Sequence, residues 1–82
     1  MSRQNTSAII RIETLRPNGV RFDVEAHVFT TPDLISARVS KLLDHIHATQ
    51  TWEPRFRVFE VDRSGRRWVV TDATAKYLGK TQ

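Results

Sequence analysis

Two turn signals, Arg16-Pro17-Asn18-Gly19 and Asp62-Arg63-Ser64-Gly65, each separate two runs in which apolar and polar residues alternate. Alternation is the signature of a strand with two unlike faces, and a short glycine-ended turn between two such runs closes a hairpin. In the first signal Pro17 presets φ at the second turn position, and Gly19 accepts the left-handed conformation that ends a type I turn with a G1 bulge. A chain with a hairpin near each end has one economical way to fold: both hairpins must bury a face on whatever lies between them.

Placing the first turn sets a testable register for the strands Ala8–Leu15 and Val20–Phe29. Ile12 falls opposite Val24, Ile10 opposite Ala26, Ala8 opposite Val28 and Thr14 opposite Phe22, which makes one continuous apolar face. On the other face Arg11 meets Glu25 with Asp23 on the diagonal, and Glu13 lies diagonal to Arg21. Opposite charges across strands favour such a pairing by a few tenths of a kcal/mol to about 1 each.

The middle of the chain reads as a helix. Thr31 is placed to cap it, Pro32 suits the first helical position, and Asp33 complements the positive end. Ile35, Val39, Leu42, Leu43 and Ile46 follow at helical spacing on one stripe, so the helix is predicted from Pro32 to about Ala48. Pro54 then steers the chain back into extended backbone.

The second hairpin lies within Arg55–Asp72. The same turn rule pairs Val58 with Val70, Glu60 with Trp68, Phe59 with Val69 and Val61 with Arg67. One face then carries Phe56, Val58, Trp68 and Val70; the other carries Arg55, Arg57, Phe59, Val61, Arg67 and Val69. Either is apolar enough to be core. Asp72 can cap a short helix over Ala73–Leu78, with Gly79 as its stop. The predicted class is therefore α+β, ββαββ(α): a four-stranded mixed sheet in the order 2-1-4-3, β-grasp-like, packed on one helix. Residues 1–7 are expected to be a disordered tail, 8–79 one domain and 80–82 a frayed end. The predicted core is Ile10, Ile12, Phe22, Val24, Ala26, Ile35, Val39, Leu42, Leu43, Ile46 and Val70, with Phe56, Val58 and Trp68 beside them.

Composition narrows the function classes. With 82 residues and no cysteine, the chain has room for one core, and disulfides and thiolate metal sites are excluded. That fits a reducing cytoplasm, as does a polar start without the apolar stretch of a secretory signal. The formal net charge is +4, and ten of the thirteen basic residues are arginine, the side chain suited to bidentate contact with phosphate and carboxylate and to stacking on rings. Arg55–Asp72 alone holds five of those arginines, with two of the four phenylalanines and one of the two tryptophans.

That concentration makes Arg55, Arg57, Phe59, Val61, Arg63, Arg66 and Arg67 the candidate binding set. Arginines would neutralise phosphates while Phe59 stacks a base, as in single-stranded nucleic-acid binders. The same patch equally suits a protein interface or a homodimer surface, and Tyr77 with Leu78 could instead fold across it as plain intramolecular cover. A secondary basic stripe, Arg38, Lys41 and His45, lies along the solvent side of the predicted helix; stripes of this kind are commonly just solvated. His45 and His47 point about 200° apart on a helix and cannot share a metal, and His27 belongs to a strand. No catalytic residues, metal or cofactor are expected. A small basic ribonuclease is the one enzyme class the composition tolerates. The expected function is a non-enzymatic basic binding module, with nucleic acid as the specific partner. The alternative is a protein-binding module, such as a phage or mobile-element-type inhibitor, acting through a sheet edge or apolar patch.

Overall fold

In the computed structural model the elements follow the predicted order: β1 (Ala8–Leu15), β2 (Arg21–Phe29), α1 (Pro32–Thr49), β3 (Arg55–Ser64), β4 (Arg67–Asp72) and α2 (Thr74–Leu78). The structure describes residues 8–65 and 67–78, without the side chains at positions 8, 63 and 64. The expectations for the tail at 1–7, for Arg66, for the Gly79 stop and for the end at 80–82 lie outside these residues. The class is α+β, with one four-stranded sheet, one long helix and one short C-terminal helix.

The strand order corrects the expected one. It is β2-β1-β3-β4, with every neighbouring pair antiparallel, so the mixed 2-1-4-3 sheet with its parallel central pair does not form. α1 rises about 1.5 Å per residue over its 18 residues and returns the chain along the length of the sheet. β3 therefore starts level with the start of β2 and lies antiparallel to β1, which separates the two. β3, at ten residues, is longer than the six-residue β4. The longer strand takes the central place and β4 is left at the edge.

The first turn is as predicted. Gly19 N–H donates to the Arg16 carbonyl at 2.8 Å and Arg16 N–H to the Val20 carbonyl at 2.9 Å, with Gly19 at φ 89°. One residue beyond it the register departs from expectation. Leu15 pairs with Arg21 but Thr14 pairs with Asp23, so Phe22 is an extra residue in a bulge. From there every pair is shifted by one: Ile12 opposes Glu25, Ile10 opposes His27 and Ile9 opposes Val28. A slip of one residue sends every following side chain to the opposite face. Phe22 turns out of the ladder to meet Trp52 edge-on at 5.1 Å, with the Arg16 guanidinium over both rings at 4.9 and 5.1 Å. Glu25 is delivered to the helix side, where Arg38 grips it through Nε and Nη2 at 2.6 and 2.9 Å.

The core lies between α1, α2 and one face of the sheet. Ile10, Ile12, Val58 and Ile35 are buried, with Phe29, Phe56, Val39, Leu42, Tyr77 and Leu78 packed against them. Each fully buried aliphatic side chain contributes about 1.5–3 kcal/mol. α1 begins behind Thr31, whose backbone is extended and whose side chain makes no cap bond, with Pro32 and Asp33 in the first turn. Phe22, Val24, Val70 and Trp68, four residues of the predicted core, are exposed instead, as is Ala26.

The second hairpin also slips. Its last pair is Ser64 with Arg67, and Gly65 stands beyond it at φ 59°, so the reversal comes later than the predicted Asp62–Gly65 turn. Val61 consequently opposes Val70, and position 63 opposes Trp68. An odd-numbered shift exchanges the faces of β4 relative to β3. Asp72 then caps α2 as expected, its Oδ1 accepting from Thr74 N–H at 2.9 Å. Ala73 N–H donates to the Val58 carbonyl at 2.7 Å, and Val58 N–H to Thr74 Oγ1 at 2.8 Å, which fastens α2 over β3. Among the described residues no helix is long and apolar enough to cross a membrane.

Candidate binding face

Both slips have one consequence: apolar residues collect on the side of the sheet away from the helices. Each strand contains an adjacent apolar pair, Ile9-Ile10, Val28-Phe29, Val58-Phe59 and Val69-Val70. Because a strand alternates sides, each pair gives one residue to each face. Pairing in the observed register sets Val28, Ile9, Val61 and Val70 side by side across all four strands. Val28 is 63% exposed and Val70 47%, and Trp68, two residues from Val70 on the same side, is 54% exposed. Tyr77 and Leu78 do not cover this face, because both pack into the core on the helix side. Cover by Tyr77 and Leu78, one of the alternatives left open by the sequence, is thereby excluded.

Below the aliphatic row the face becomes cationic. The next row is Ala26, Arg11, Phe59 and Asp72, and the one after it is Val24, Glu13 and Arg57. Glu13 is buried and gathers three guanidinium groups, with Arg11 at 3.2 Å, Arg21 at 3.4 Å and Arg57 at 3.8 Å. Arg11 and Arg57 also lie over the Phe59 ring at 5.3 and 5.2 Å from its centre. Such contacts contribute about 0.5–1 kcal/mol each at exposed sites. Arg11 Nε is buried without an acceptor, so this side chain is held by the ring and the carboxylate. Three arginines around one carboxylate leave a positive surplus on this face.

The predicted site residues separate accordingly. Arg57, Phe59 and Val61 share the uncovered face, and Arg55 begins the same strand on the same alternation. Arg55 and Arg57 also line a pocket of about 500 Å³ with Leu15, Pro54, Phe56 and Leu78. Position 63 continues their row, opposite Trp68; Arg66 lies outside the described residues. Arg67 is a correction: opposite Ser64, it alternates onto the helix side, so the sheet separates it from the patch. The helix stripe lies on α1. Arg38 is occupied by Glu25, while Lys41 and His45 remain exposed on α1. Lys41 borders a groove of about 600 Å³ formed with His27, Val28, Phe29, Leu34 and Arg38.

The residues missed from sequence are Ile9, Arg11, Glu13, Val24, Val28, Trp68 and Val70. The adjacent apolar pairs were the available signal, since a strand with one buried face does not need them. On the other side two carboxyls are shifted. The fork from Arg38 holds the Glu25 carboxyl below its usual range, against the opposing effect of burial. The Tyr77 hydroxyl bonds Glu60 and lowers its pKa in the same way, with Lys76 adding to the effect. At the margin of the uncovered face, the Thr74 N–H lowers Asp72, helped by its hydroxyl and, after a small burial effect, by the charge of Arg57. Among the described residues no three His, Cys, Asp or Glu side chains converge to hold a metal ion.

No protein-family model matches this chain, and neither the comparison with curated proteins nor that with solved structures finds a match.

Proposed function

We propose that the chain is a non-enzymatic binding module of the cytoplasm that docks a protein surface on the uncovered face of its sheet. The observation that carries this reading is the row Val28, Ile9, Val61 and Val70, an aliphatic strip across four strands with neither helix of the described residues over it. Aliphatic side chains offer a base nothing to stack on, but they fit the dry centre of a protein interface, with arginine and tryptophan at its margin. The lack of cysteine supports the compartment.

A photo-crosslinking residue at position 61 tests the docking. Proteins trapped from position 61, and not from the exposed Ser40 on α1, support it; identical sets from both positions overturn it.

The surplus of guanidinium over carboxylate around Glu13 favours a second reading, association with single-stranded nucleic acid through Arg11, Arg57 and Phe59. In that reading binding of labelled single-stranded DNA or RNA weakens steeply with salt, by the number of phosphates neutralised. No binding at low salt excludes it.

A further inference from the structure

The two edges of the sheet are built differently. β2 carries Arg21, Asp23, Glu25 and His27 at alternate positions, the kind of charge that discourages a further strand from pairing. β4 has no such guard: between Arg67 and Asp72 it reads Trp68-Val69-Val70-Thr71. All six of its residues are exposed, and α2 turns back over β3 rather than over β4. It contains no proline and no bulge, and β3 is its one neighbour in the sheet.

We infer that β4 pairs with β4 of a second copy of this chain, antiparallel about Val69, to make a continuous eight-stranded sheet. The strand is complementary to itself in this register. Trp68 of each copy faces the partner's Val70 on the uncovered side, an aromatic and β-branched pair that occurs twice by symmetry. Val69 meets the partner's Val69 on the other side, and Arg67 meets the partner's Thr71. Moving the axis to Val70 would set Trp68 against an aspartate and lose both aromatic pairs. Charge agrees with the direction, since Arg67 and Asp72 stand at opposite ends of the strand and an antiparallel partner brings unlike ends together. The pairing also prolongs the aliphatic row past Val70 onto Trp68 of the second copy, so one binding face runs through the dimer.

Sedimentation of the full chain tests this inference. The wild-type chain is expected to be a dimer at micromolar concentration, and Val69→Lys, which sets two ammonium groups on the axis, a monomer with unchanged circular dichroism. Val61→Asp, on the face and away from the edge, leaves the dimer intact. A wild-type monomer overturns the proposal, and so does a dimer that survives Val69→Lys. If Val69→Lys fails to fold, the single cysteine variants decide. Val69→Cys should oxidise to a covalent dimer, because directly opposed positions bring the two sulfurs within bonding range, and Val24→Cys on the guarded edge should not. No covalent dimer from Val69→Cys overturns the pairing. The outcome is independent of the docking reading, because the edge variant leaves the aliphatic row unchanged in each copy.

Discussion

One sheet presents two apolar faces, and only one of them is core. Ile10, Ile12 and Val58 lie under the helices, while Ile9, Val61, Val70 and Val28 make a strip of similar character on the reverse side. Apolar content does not tell the faces apart. Their carboxylates do. On the covered side Glu25 is held by Arg38 of α1, and Glu60 by Tyr77 and Lys76 of α2, so each helix is tied to the sheet by a charged bond. On the uncovered side Glu13 binds Arg11, Arg21 and Arg57 from its own and neighbouring strands and reaches no other layer. A face with polar ties to another element is committed to that element. Glu13, bound within the sheet alone, ties its face to no other layer, and the aliphatic strip beside it is left for a partner.

The largest expected effect tests this difference directly. Ile12→Ala removes a side chain that is 1% exposed and should cost about 2–5 kcal/mol, the usual range for a large-to-small change in a core. Val61→Ala at the centre of the other strip should cost less than about 1 kcal/mol. Urea denaturation of both variants measures the contrast. Equal losses would mean that the second strip is also buried in solution, and the distinction between the faces would fail.

Acid should produce the next largest effect, and it acts on the carboxyls that hold α1 and α2. Glu25 and Glu60 have carboxyls lowered from 4.5, and Asp72 one lowered from 3.8. A carboxyl whose pKa is lower folded than unfolded contributes its full stabilisation above the unfolded value. That contribution is lost as pH falls through the folded value. Stability should therefore be level at neutral pH and decline below about pH 4.5 as the ties to α1 and α2 are protonated. Glu25→Gln should shrink the acid slope, and a slope identical to wild type would show that this tie does not hold the helix. Arg38→Ala should cost only about 0.5–1 kcal/mol at neutral pH, because the guanidinium is 40% exposed and solvent screens the pair.

The elements were legible in the sequence and the faces were not. The Arg16–Gly19 turn, the start of α1 at Pro32, the stripe from Ile35 to Ile46 and the Asp72 cap are local signals, and each acts where it was read. Register is not local. The bulge at Phe22 forms because that ring docks with Trp52, thirty residues away in the chain, under the guanidinium of Arg16. The second hairpin reverses at Gly65, beyond the Ser64–Arg67 pair, rather than over Asp62–Gly65, which exchanges Trp68 and Val70 with Arg67 and Val69. Strand order rests on which strand of the second hairpin meets β1, and alternation carries no information about that. Of the candidate site, Arg57, Phe59 and Val61 were placed on the right side of β3. Val28 and Val70 were assigned to the opposite face because one slip of register moves a whole strand, whereas Arg11 and Glu13 were read as members of the charged face, and the expected Glu13–Arg21 pair forms.

The smallest expected change in stability carries the sharpest test of function. Val28→Asp places a carboxylate at one end of the aliphatic row, on a side chain that is 63% exposed, so folding stability should stay within about 0.5 kcal/mol of wild type. The register sets the new charge on the face of Ile9, opposite that of the buried Ile10 and Ile12. An interface with its dry centre on this row would have to bury that charge unpaired, and binding should fall by about tenfold or more. The yield of proteins crosslinked from position 61, compared in wild-type and Val28→Asp backgrounds, measures the fall. An undiminished yield would show that partners approach Val61 without crossing the row, and the uncovered face would then be a bystander to binding.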